Sequence, residues 1–418
     1  MIALPTSWPA YRRTDGRKGI RNVVAVVYLV ECAHHVAREI AAPFSGACAQ
    51  TIGFPGGYPN AYATSMLGSL CTHPNVGAVL LVSLGCESFP RGELEALVAD
   101  SGRPVKTIVI QESGGTRGAI DAGRAWLSEQ LRAEYAVAQT RMSAEELIVG
   151  TICGGSDGTS GLSGNPAVGR AFERLVAEGA GCIFEETVEL VGCEEDLAAR
   201  AVTPELAEAL RRAVQKAAAY SAAIGWPSFA SGNASGGLTT IEEKSLGAYS
   251  KSGRGPVHGL LKPCDTPPRG GLYLLDIVPD GDVRWGFPNI NDSTEVAELI
   301  SCGAHVVLFT TGRGSVVGSA ISPVIKICAN PETYERMRDD MDIDAGKIIT
   351  GEATVDMIAE EICRVTMAVA AGEPTRSETL GHQEFILGYK SFEPVGPACH
   401  PGFVPLKPFQ PQAEPLSV

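Results

Sequence analysis

The 418-residue sequence predicts an α/β fold, with parallel or mixed sheets flanked by helices in two to three α/β subdomains. Three observations support this fold class. Short, continuously apolar runs recur along the chain, as strands buried on both faces of a sheet require. Segments with helical apolar spacing or an alanine-rich composition separate these runs. Glycine-rich turns follow several of the runs directly.

The predicted elements alternate from one end of the sequence to the other. We predict strands at 23–30, 79–84, 107–110, 147–149, 272–278 and 306–309. We predict helices at 115–131, 167–178, 204–223, 293–301 and 353–371. Turn-rich breaks divide the chain into an N-terminal α/β domain at 1–142, a middle domain at 143–265 with a glycine-rich loop around Cys153, and a C-terminal α/β domain at 266–418 with a proline-rich tail.

The composition argues against several classes of protein. Lys and Arg number 34 and Asp and Glu 48, so the formal charge is −14, which disfavours a general affinity for nucleic acid or for an anionic membrane. The longest apolar stretches are far shorter than the ~20 residues of a membrane span. Twelve cysteines are too sparse for a disulfide scaffold, and no secretion signal precedes Tyr11. We expect a cytoplasmic protein without nucleic-acid or membrane partners.

Three glycine-rich loops, at 83–87, 149–155 and 309–314, follow predicted strands. Ligands bind at the carboxyl ends of strands in open α/β sheets, so we expect these loops to form one site. The stretch 312–318 has its third glycine one place too late for a dinucleotide fingerprint, and the sequence contains no phosphate-binding P-loop motif. Its backbone amides and Arg313 suit a carboxylate. The alternative is a tight turn whose arginine has a purely local partner.

Cysteine and histidine residues at strand ends are the candidate metal ligands. Cys32, Cys86 and Cys153 each end a predicted strand and could meet at one sheet edge. Thiolates favour zinc, iron or an iron–sulfur cluster. His34 and His35 follow Cys32, and adjacent helical residues point about 100° apart, so we expect only one of them to face a site. The two glutamates at 242–243 are expected to have a structural role, because acids in the first turn of a helix stabilise the helix dipole.

Several longer motifs then occur in a fixed order, at 11–22, 84–87, 153–166, 233–247, 309–315 and 340–346. Together they resemble the altronate/galactarate dehydratase family, which also includes the large subunit of sulfolactate sulfo-lyase. The resemblance implies removal of water, or in one branch sulfite, from hydroxy acids by β-elimination. It also implies a divalent metal, with iron first and manganese or another ion as alternatives, or an iron–sulfur cluster.

The resemblance also implies roles for individual residues. The implied metal ligands are Cys32, Cys86 and Cys153. The implied catalytic residues are Glu87, Asp157, Lys244 and His35. The implied substrate-binding residues are Arg313, Lys251, Ser156, Arg17 and Asn233. This assignment follows the needs of the chemistry, because an enolate-like charge requires cations, a proton must be removed and a leaving group must be expelled.

Two features depart from the family pattern. Family members have a His followed by Gly-Cys-Gly where this sequence has 51–60, which includes Phe54. Only about ten residues precede the Asp-Gly-Arg motif, where the sugar-acid enzymes have a small β-rich domain, so we expect that this domain is absent or that a separately encoded small subunit supplies it. The leading prediction is a hydro-lyase of a small hydroxy acid such as an aldonate or aldarate, assembled as a homo-oligomer. The alternatives are the sulfo-lyase large subunit, or a divergent hydrolase or non-catalytic binding subunit.

Overall fold

The computed structural model describes residues 7–134, 139–224, 231–280 and 291–387, and within them it confirms the predicted α/β class. The strands are β1 Ser7–Arg12, β2 Lys18–Gly19, β3 Val23–Tyr28, β4 Ala49–Gly53, β5 Val76–Ser83, β6 Val105–Val109, β7 Gln139–Ser143, β8 Ile148–Cys153, β9 Gly181–Phe184, β10 Gly259–Leu261, β11 Gly271–Leu275, β12 Val306–Thr311, β13 Val324–Cys328 and β14 Ile343–Asp344.

Helices separate most of these strands. They are α1 Glu31–Ala41, α2 Ala61–Cys71, α3 Arg91–Asp100, α4 Gly115–Glu134, α5 Gly164–Ala177, α6 Glu194–Ala198, α7 Pro204–Ile224, α8 Ile241–Ser250, α9 Asp292–Ser301, α10 Pro331–Arg336, α11 Lys347–Thr350, α12 Val355–Ala370 and α13 Arg376–Leu380. Four short 3₁₀ helices lie at Ala42–Ala47, Ala144–Glu146, Thr187–Glu189 and Ser231–Gly236. Within the described ranges, no helix has both the length and the apolar character needed to cross a bilayer.

A parallel four-stranded sheet forms the first layer, in the order β4-β3-β5-β6. Every residue of β3 and β5 is buried, as the continuous apolar runs predict. One face of this sheet packs on α1 and α4, and the other packs on α2 and α3. A small antiparallel sheet, β2-β1-β7, joins the beginning of the chain to 139–143.

A parallel seven-stranded sheet holds the rest of the strands, in the order β10-β11-β9-β8-β12-β13-β14. Strands β9 and β8 lie side by side between β11 and β12, so strands from the predicted middle and C-terminal domains belong to one sheet. Ile152 of β8 and Ile183 of β9 face a core shared with the four-stranded sheet. Val149 and Cys182 face the opposite core, beneath α5 and α12. Because the strands are parallel, the residues that follow β8, β9, β11 and β12 meet at one edge.

Candidate active site

Cys153 is the last residue of β8 and is buried near the middle of the carboxyl edge of the seven-stranded sheet. Its Sγ accepts hydrogen bonds from Lys244 Nζ at 3.0 Å and from Ser156 Oγ at 3.2 Å. The same ammonium donates to Ser156 Oγ at 3.1 Å and lies 2.6 Å from Glu189 Oε2. A thiol, a hydroxyl, a carboxylate and an ammonium group therefore converge on one point.

Glu186 supplies a second carboxylate from the segment that follows the neighbouring strand β9. Its backbone is left-handed, with φ +94°, a conformation that costs a non-glycine residue of the order of 1–3 kcal/mol. Its Oε1 accepts a hydrogen bond from the Cys153 backbone amide at 2.5 Å. Its Oε2 forms an ion pair with Lys251, whose side chain is completely buried. The surrounding contacts therefore hold Glu186 in an unfavourable backbone conformation next to Cys153.

The buried charges in this cluster shift one another's ionisation. Burial, followed by the charge of Glu186, raises the pKa of the Cys153 thiol to about 11. The same two causes raise the pKa of Glu189 to about 8. Burial opposes ionisation of Glu186, but Lys251 and Lys244 hold its pKa below the usual value. The cluster consequently presents an ionised carboxylate beside a protonated thiol.

Asp157 organises the loop that follows Cys153. Its Oδ1 accepts hydrogen bonds from the Thr159 amide at 2.8 Å and hydroxyl at 2.6 Å, and its Oδ2 accepts from Asn330 Nδ2 at 2.9 Å. A Cβ placed on Gly312 would lie 2.0 Å from Asp157 Oδ1, so no side chain fits there. A Cβ on Gly236 would lie 2.8 Å from Asp157 Cβ. This buried carboxylate therefore joins its own loop to the loops that contain Gly236 and Gly312.

Asp292 approaches the cluster from the first turn of α9. A Cβ placed on Gly154, the residue after Cys153, would lie 2.1 Å from Asp292 Oδ2. Burial and then the charge of Glu186 raise the pKa of Asp292 to about 6, and Lys244 and Lys251 oppose that rise. Asp292 is thus a carboxylate that responds to the charges of the cluster and contacts its central loop.

One group of three potential metal ligands occurs among the described residues, formed by Cys153, Glu186 and Glu189, with donor atoms within 4.8 Å of one another. One sulfur and two carboxylate oxygens fit iron or zinc better than magnesium, which prefers oxygen alone. Lys244 forms close contacts with two of these three side chains. A bound cation would therefore replace the contacts of Lys244 with Cys153 and Glu189.

The prediction that three thiols meet at one sheet edge is wrong. Cys32 and Cys86 follow β3 and β5 of the four-stranded sheet, whereas Cys153 ends a strand of the seven-stranded sheet. The side chains of Cys32 and Cys86 are exposed, and that of Cys153 is buried. Strand ends in separate sheets share no common edge, so the metal ligands grouped around Cys153 are carboxylates instead.

Three other predicted site residues have local partners outside the Cys153 cluster. Glu87 accepts hydrogen bonds from the Ser83 hydroxyl and, at 2.8 Å, from the Gly85 amide. His35 is exposed on α1, with Nδ1 3.4 Å from Arg38 Nη2.

Arg17 pairs with Asp15 and donates to the Thr72 carbonyl at 2.7 Å. It lines a cavity of about 500 Å³ beside Ile148, the first residue of β8, and therefore lies at the opposite end of that strand from Cys153.

The remaining predictions have mixed outcomes. Arg313 is exposed and its Nη1 donates to the Gly232 carbonyl and, at 2.9 Å, to Ser235 Oγ, which matches the local alternative. Asn233 is buried in the same loop. Thr240 and Glu243 form a reciprocal helix cap, and both acids at 242–243 lie in the first turn of α8, which confirms their predicted structural role at a helix N-terminus. Phe54 is fully buried with its ring 6.0 Å from that of Phe89, so a core side chain occupies the region where a His was expected.

Sequence reasoning identified Cys153, Ser156, Lys244 and Lys251 but missed Glu186, Glu189 and Asp292. The two glutamates follow β9, whose four apolar residues are too few to stand out as a strand. Asp292 immediately precedes the predicted helix at 293–301, a position that does not by itself indicate a site residue. The position of the two glutamates was the available signal. Acidic residues that directly follow a short strand parallel to β8 lie at the same edge of the sheet as Cys153.

Comparison with known proteins gives two matches to family models and several related sequences. Residues 10–134 match the model described as D-galactarate dehydratase/Altronate hydrolase, second domain, and residues 144–392 match D-galactarate/Altronate dehydratase, C-terminal. The (2R)-sulfolactate sulfo-lyase subunit beta of Chromohalobacter salexigens is 32% identical over 90% of this chain and 96% of its own. The altronate dehydratase of Escherichia coli is 30% identical over 90% of this chain and 76% of its own. That of Bacillus subtilis is 28% identical over 91% and 77%.

Proposed function

Because the chain belongs to the D-galactarate/altronate dehydratase family, we propose that it is a hydro-lyase that removes water from a small hydroxy acid, such as an aldonate or aldarate, by metal-assisted β-elimination. The single observation that carries this proposal is the convergence of Cys153, Glu186, Glu189 and Lys244 at the carboxyl edge of one parallel sheet. Such an arrangement can bind a cation and can also present the Lys244 ammonium as a proton donor to a bound hydroxy acid.

We propose that Cys153, Glu186 and Glu189 hold one divalent metal ion, with iron first and manganese or another ion as alternatives. A single thiol is too few for an iron–sulfur cluster, which takes four cysteine ligands in its common form. When bound, the ion supplies Lewis acidity toward a carboxylate or hydroxyl oxygen of the substrate. Neighbouring ammonium groups on Lys244 and Lys251 keep the local charge balanced.

Lys244 is proposed to act on the leaving group. Burial alone would lower the pKa of this ammonium, but the negative charges that Cys153, Glu189 and Glu186 carry when ionised raise it well above the usual value. It therefore carries a proton at neutral pH that can be donated to a departing hydroxide. Ser156, which accepts a hydrogen bond from Lys244 at 3.1 Å, helps to fix the orientation of that ammonium.

A second candidate function is sulfite elimination from sulfolactate. The similarity to the sulfolactate sulfo-lyase subunit beta covers 96% of that relative's length. Its name, subunit beta, implies a partner subunit. We accordingly propose a separately encoded small β-rich subunit as a partner, together with assembly as a homo-oligomer. A reducing cytoplasm is the proposed location, since the eleven cysteines within the described residues are all free thiols.

The test uses purified protein with and without the candidate small subunit. Metal content is measured first, and then 2-keto acid release is followed on a panel of aldonates and aldarates, with sulfite release followed on (2R)-sulfolactate. Release of 2-keto acid without sulfite supports the hydro-lyase, and sulfite release supports the second candidate. Absence of metal and of both products with every substrate would contradict both and favour a divergent hydrolase or a non-catalytic subunit.

A further inference from the structure

We propose that Asp292 is the base that removes the proton from the substrate carbon next to its carboxylate. This inference rests on the proposed lyase function and goes beyond it by naming the group that starts the elimination. Asp292 opens α9, whose N-cap Asn291 accepts a hydrogen bond from the Thr294 amide at 3.1 Å, so the backbone that carries Asp292 is anchored.

The contact between Asp292 and Gly154 directs the carboxylate toward the cluster. A Cβ on Gly154 would lie 2.1 Å from Asp292 Oδ2 and 2.6 Å from Phe309 Cζ, so only glycine leaves room for the carboxylate at this point. Gly154 immediately follows Cys153, the central residue of the site. The missing side chain at 154 thus makes space for Asp292 above the end of β8.

The other carboxylates of the site already have basic or hydrogen-bonding partners. Glu186 accepts from the Cys153 amide and pairs with Lys251. Glu189 pairs with Lys244, and Asp157 accepts from Thr159 and Asn330. A carboxylate held by ammonium groups or amide donors is a weaker base than one without them. Within the described residues, Asp157 and Asp292 both lack an ion pair to a lysine, and the hydrogen bonds that Asp157 accepts make it the weaker base of the two.

The charges that face Asp292 suit a proton acceptor. Glu186 faces it from the end of β9, while Lys244 and Lys251 face it from α8 and its carboxyl end. Without a bound cation, burial and then the charge of Glu186 raise the pKa of Asp292 to about 6, so the carboxylate binds a proton more readily than an ordinary aspartate.

The proposed step balances without a further reactant. Asp292 takes the proton from C2, the electrons of the C2–H bond form the C2–C3 double bond, and the C3–O bond breaks. Lys244 gives a proton to the departing hydroxide, which leaves as water. The resulting enol gains a proton at C3 and loses one from its hydroxyl to give the 2-keto acid. The proton held by Asp292 returns to Lys244 through solvent, which restores both groups.

The experiment compares Asp292→Asn with the wild type in the metal-loaded enzyme. We expect kcat to fall by about 10²–10⁴-fold, the usual contribution of a general base. We also expect loss of the exchange of the substrate C2 proton with deuterium from the solvent. Metal content should stay at the wild-type level, because Asp292 is outside the proposed ligand set.

Asp196→Asn is the matched control, since Asp196 is an exposed aspartate in the first turn of α6. Asp292→Glu provides a second variant, expected to keep the exchange of the C2 proton at reduced kcat. An active wild type together with undiminished C2 exchange in Asp292→Asn would overturn this inference alone. A wild type that releases no 2-keto acid or sulfite from any substrate would overturn the proposed function as well.

Discussion

The backbone amide of Cys153 donates a hydrogen bond to Glu186 Oε1 at 2.5 Å, although 33 positions separate the two residues in the sequence. This contact joins the ends of the adjacent strands β8 and β9 and fixes a carboxylate beside the thiol. It also couples the site to the fold, because Glu186 makes this contact from a left-handed backbone conformation. The predictions below test this arrangement and its surroundings.

Replacing Glu186 separates backbone strain from side-chain function. Both Glu186→Gly and Glu186→Ala leave Lys251 without its partner, but only glycine adopts φ +94° without strain. We predict that Glu186→Gly has a free energy of unfolding about 1 kcal/mol greater than that of Glu186→Ala, while both lose lyase activity. Urea unfolding measures the difference. Equal stability of the two variants would show that the left-handed conformation carries no cost.

Lys244→Met removes the ammonium shared by Cys153 and Glu189. Truncating one partner of a buried ion pair typically costs about 3–5 kcal/mol, so a loss of this order in unfolding free energy is expected. Activity should fall by at least about 10²-fold, because the proposed proton donor is absent. Lys106→Met, at an exposed position of β6, serves as the control. The account fails here if both variants retain wild-type stability and kcat.

Gly312→Ala tests whether Asp157 fills the space between the glycine-rich loops. The added methyl group would lie 2.0 Å from Asp157 Oδ1, so one of the two loops must shift. We predict destabilisation of about 1–3 kcal/mol, typical of overpacking, together with reduced activity. Gly255→Ala is the matched control, since a Cβ there meets nothing within 4 Å. Thermal unfolding of both variants makes the comparison, and a Gly312→Ala protein as stable as Gly255→Ala contradicts the packing argument.

His305 makes the stability of the protein depend on pH. Burial lowers the pKa of His305 to about 4, against an ordinary value of 6.5, and its Nδ1 accepts a hydrogen bond from the Ile148 amide at 3.1 Å. The unfolded chain therefore binds more protons than the folded chain between these values, and stability should fall as the pH decreases from 6.5 to 4. The shift corresponds to about 3 kcal/mol.

The measurement for His305 is urea unfolding at pH 4.5 and pH 7. His305→Asn should show a smaller loss of stability between the two values than the wild type does. His35→Asn, which alters an exposed histidine, should behave like the wild type. An unchanged pH dependence in His305→Asn would exclude this residue as its source.

The sequence predicted the long buried strands more readily than the geometry of the site. The runs at 23–30 and 306–309 are apolar throughout. Such runs are typical of strands that are buried on both faces of a parallel sheet, and every residue of β3 and β12 is buried. Short strands such as β9 and β14 lack such a run. The sequence also did not predict which strands belong to the same sheet, because the hydrophobic pattern of one strand does not determine its pairing partners. Cys32 and Cys153 were grouped for that reason, although they follow strands of different sheets.

Position at the carboxyl end of a strand was nevertheless a sound guide to chemistry. It selected Cys153 and its loop, and the family resemblance added Lys244 and Lys251, which the structure brings to the same cluster. The carboxylates were missed because nothing local distinguishes Glu186 or Asp292 from an ordinary surface acid. Only the tertiary fold, which aligns β8 with β9 and brings α9 over Gly154, makes them neighbours of the thiol.

X-ray absorption of the zinc-loaded protein at the zinc edge tests the central claim most directly. The account predicts one sulfur neighbour at about 2.3 Å with oxygen neighbours at about 2.0–2.2 Å. The sulfur signal should disappear in Cys153→Ser and persist in Cys86→Ser. A shell with no sulfur, a shell with several sulfurs, or a sulfur signal that survives in Cys153→Ser would contradict a metal held by Cys153, Glu186 and Glu189.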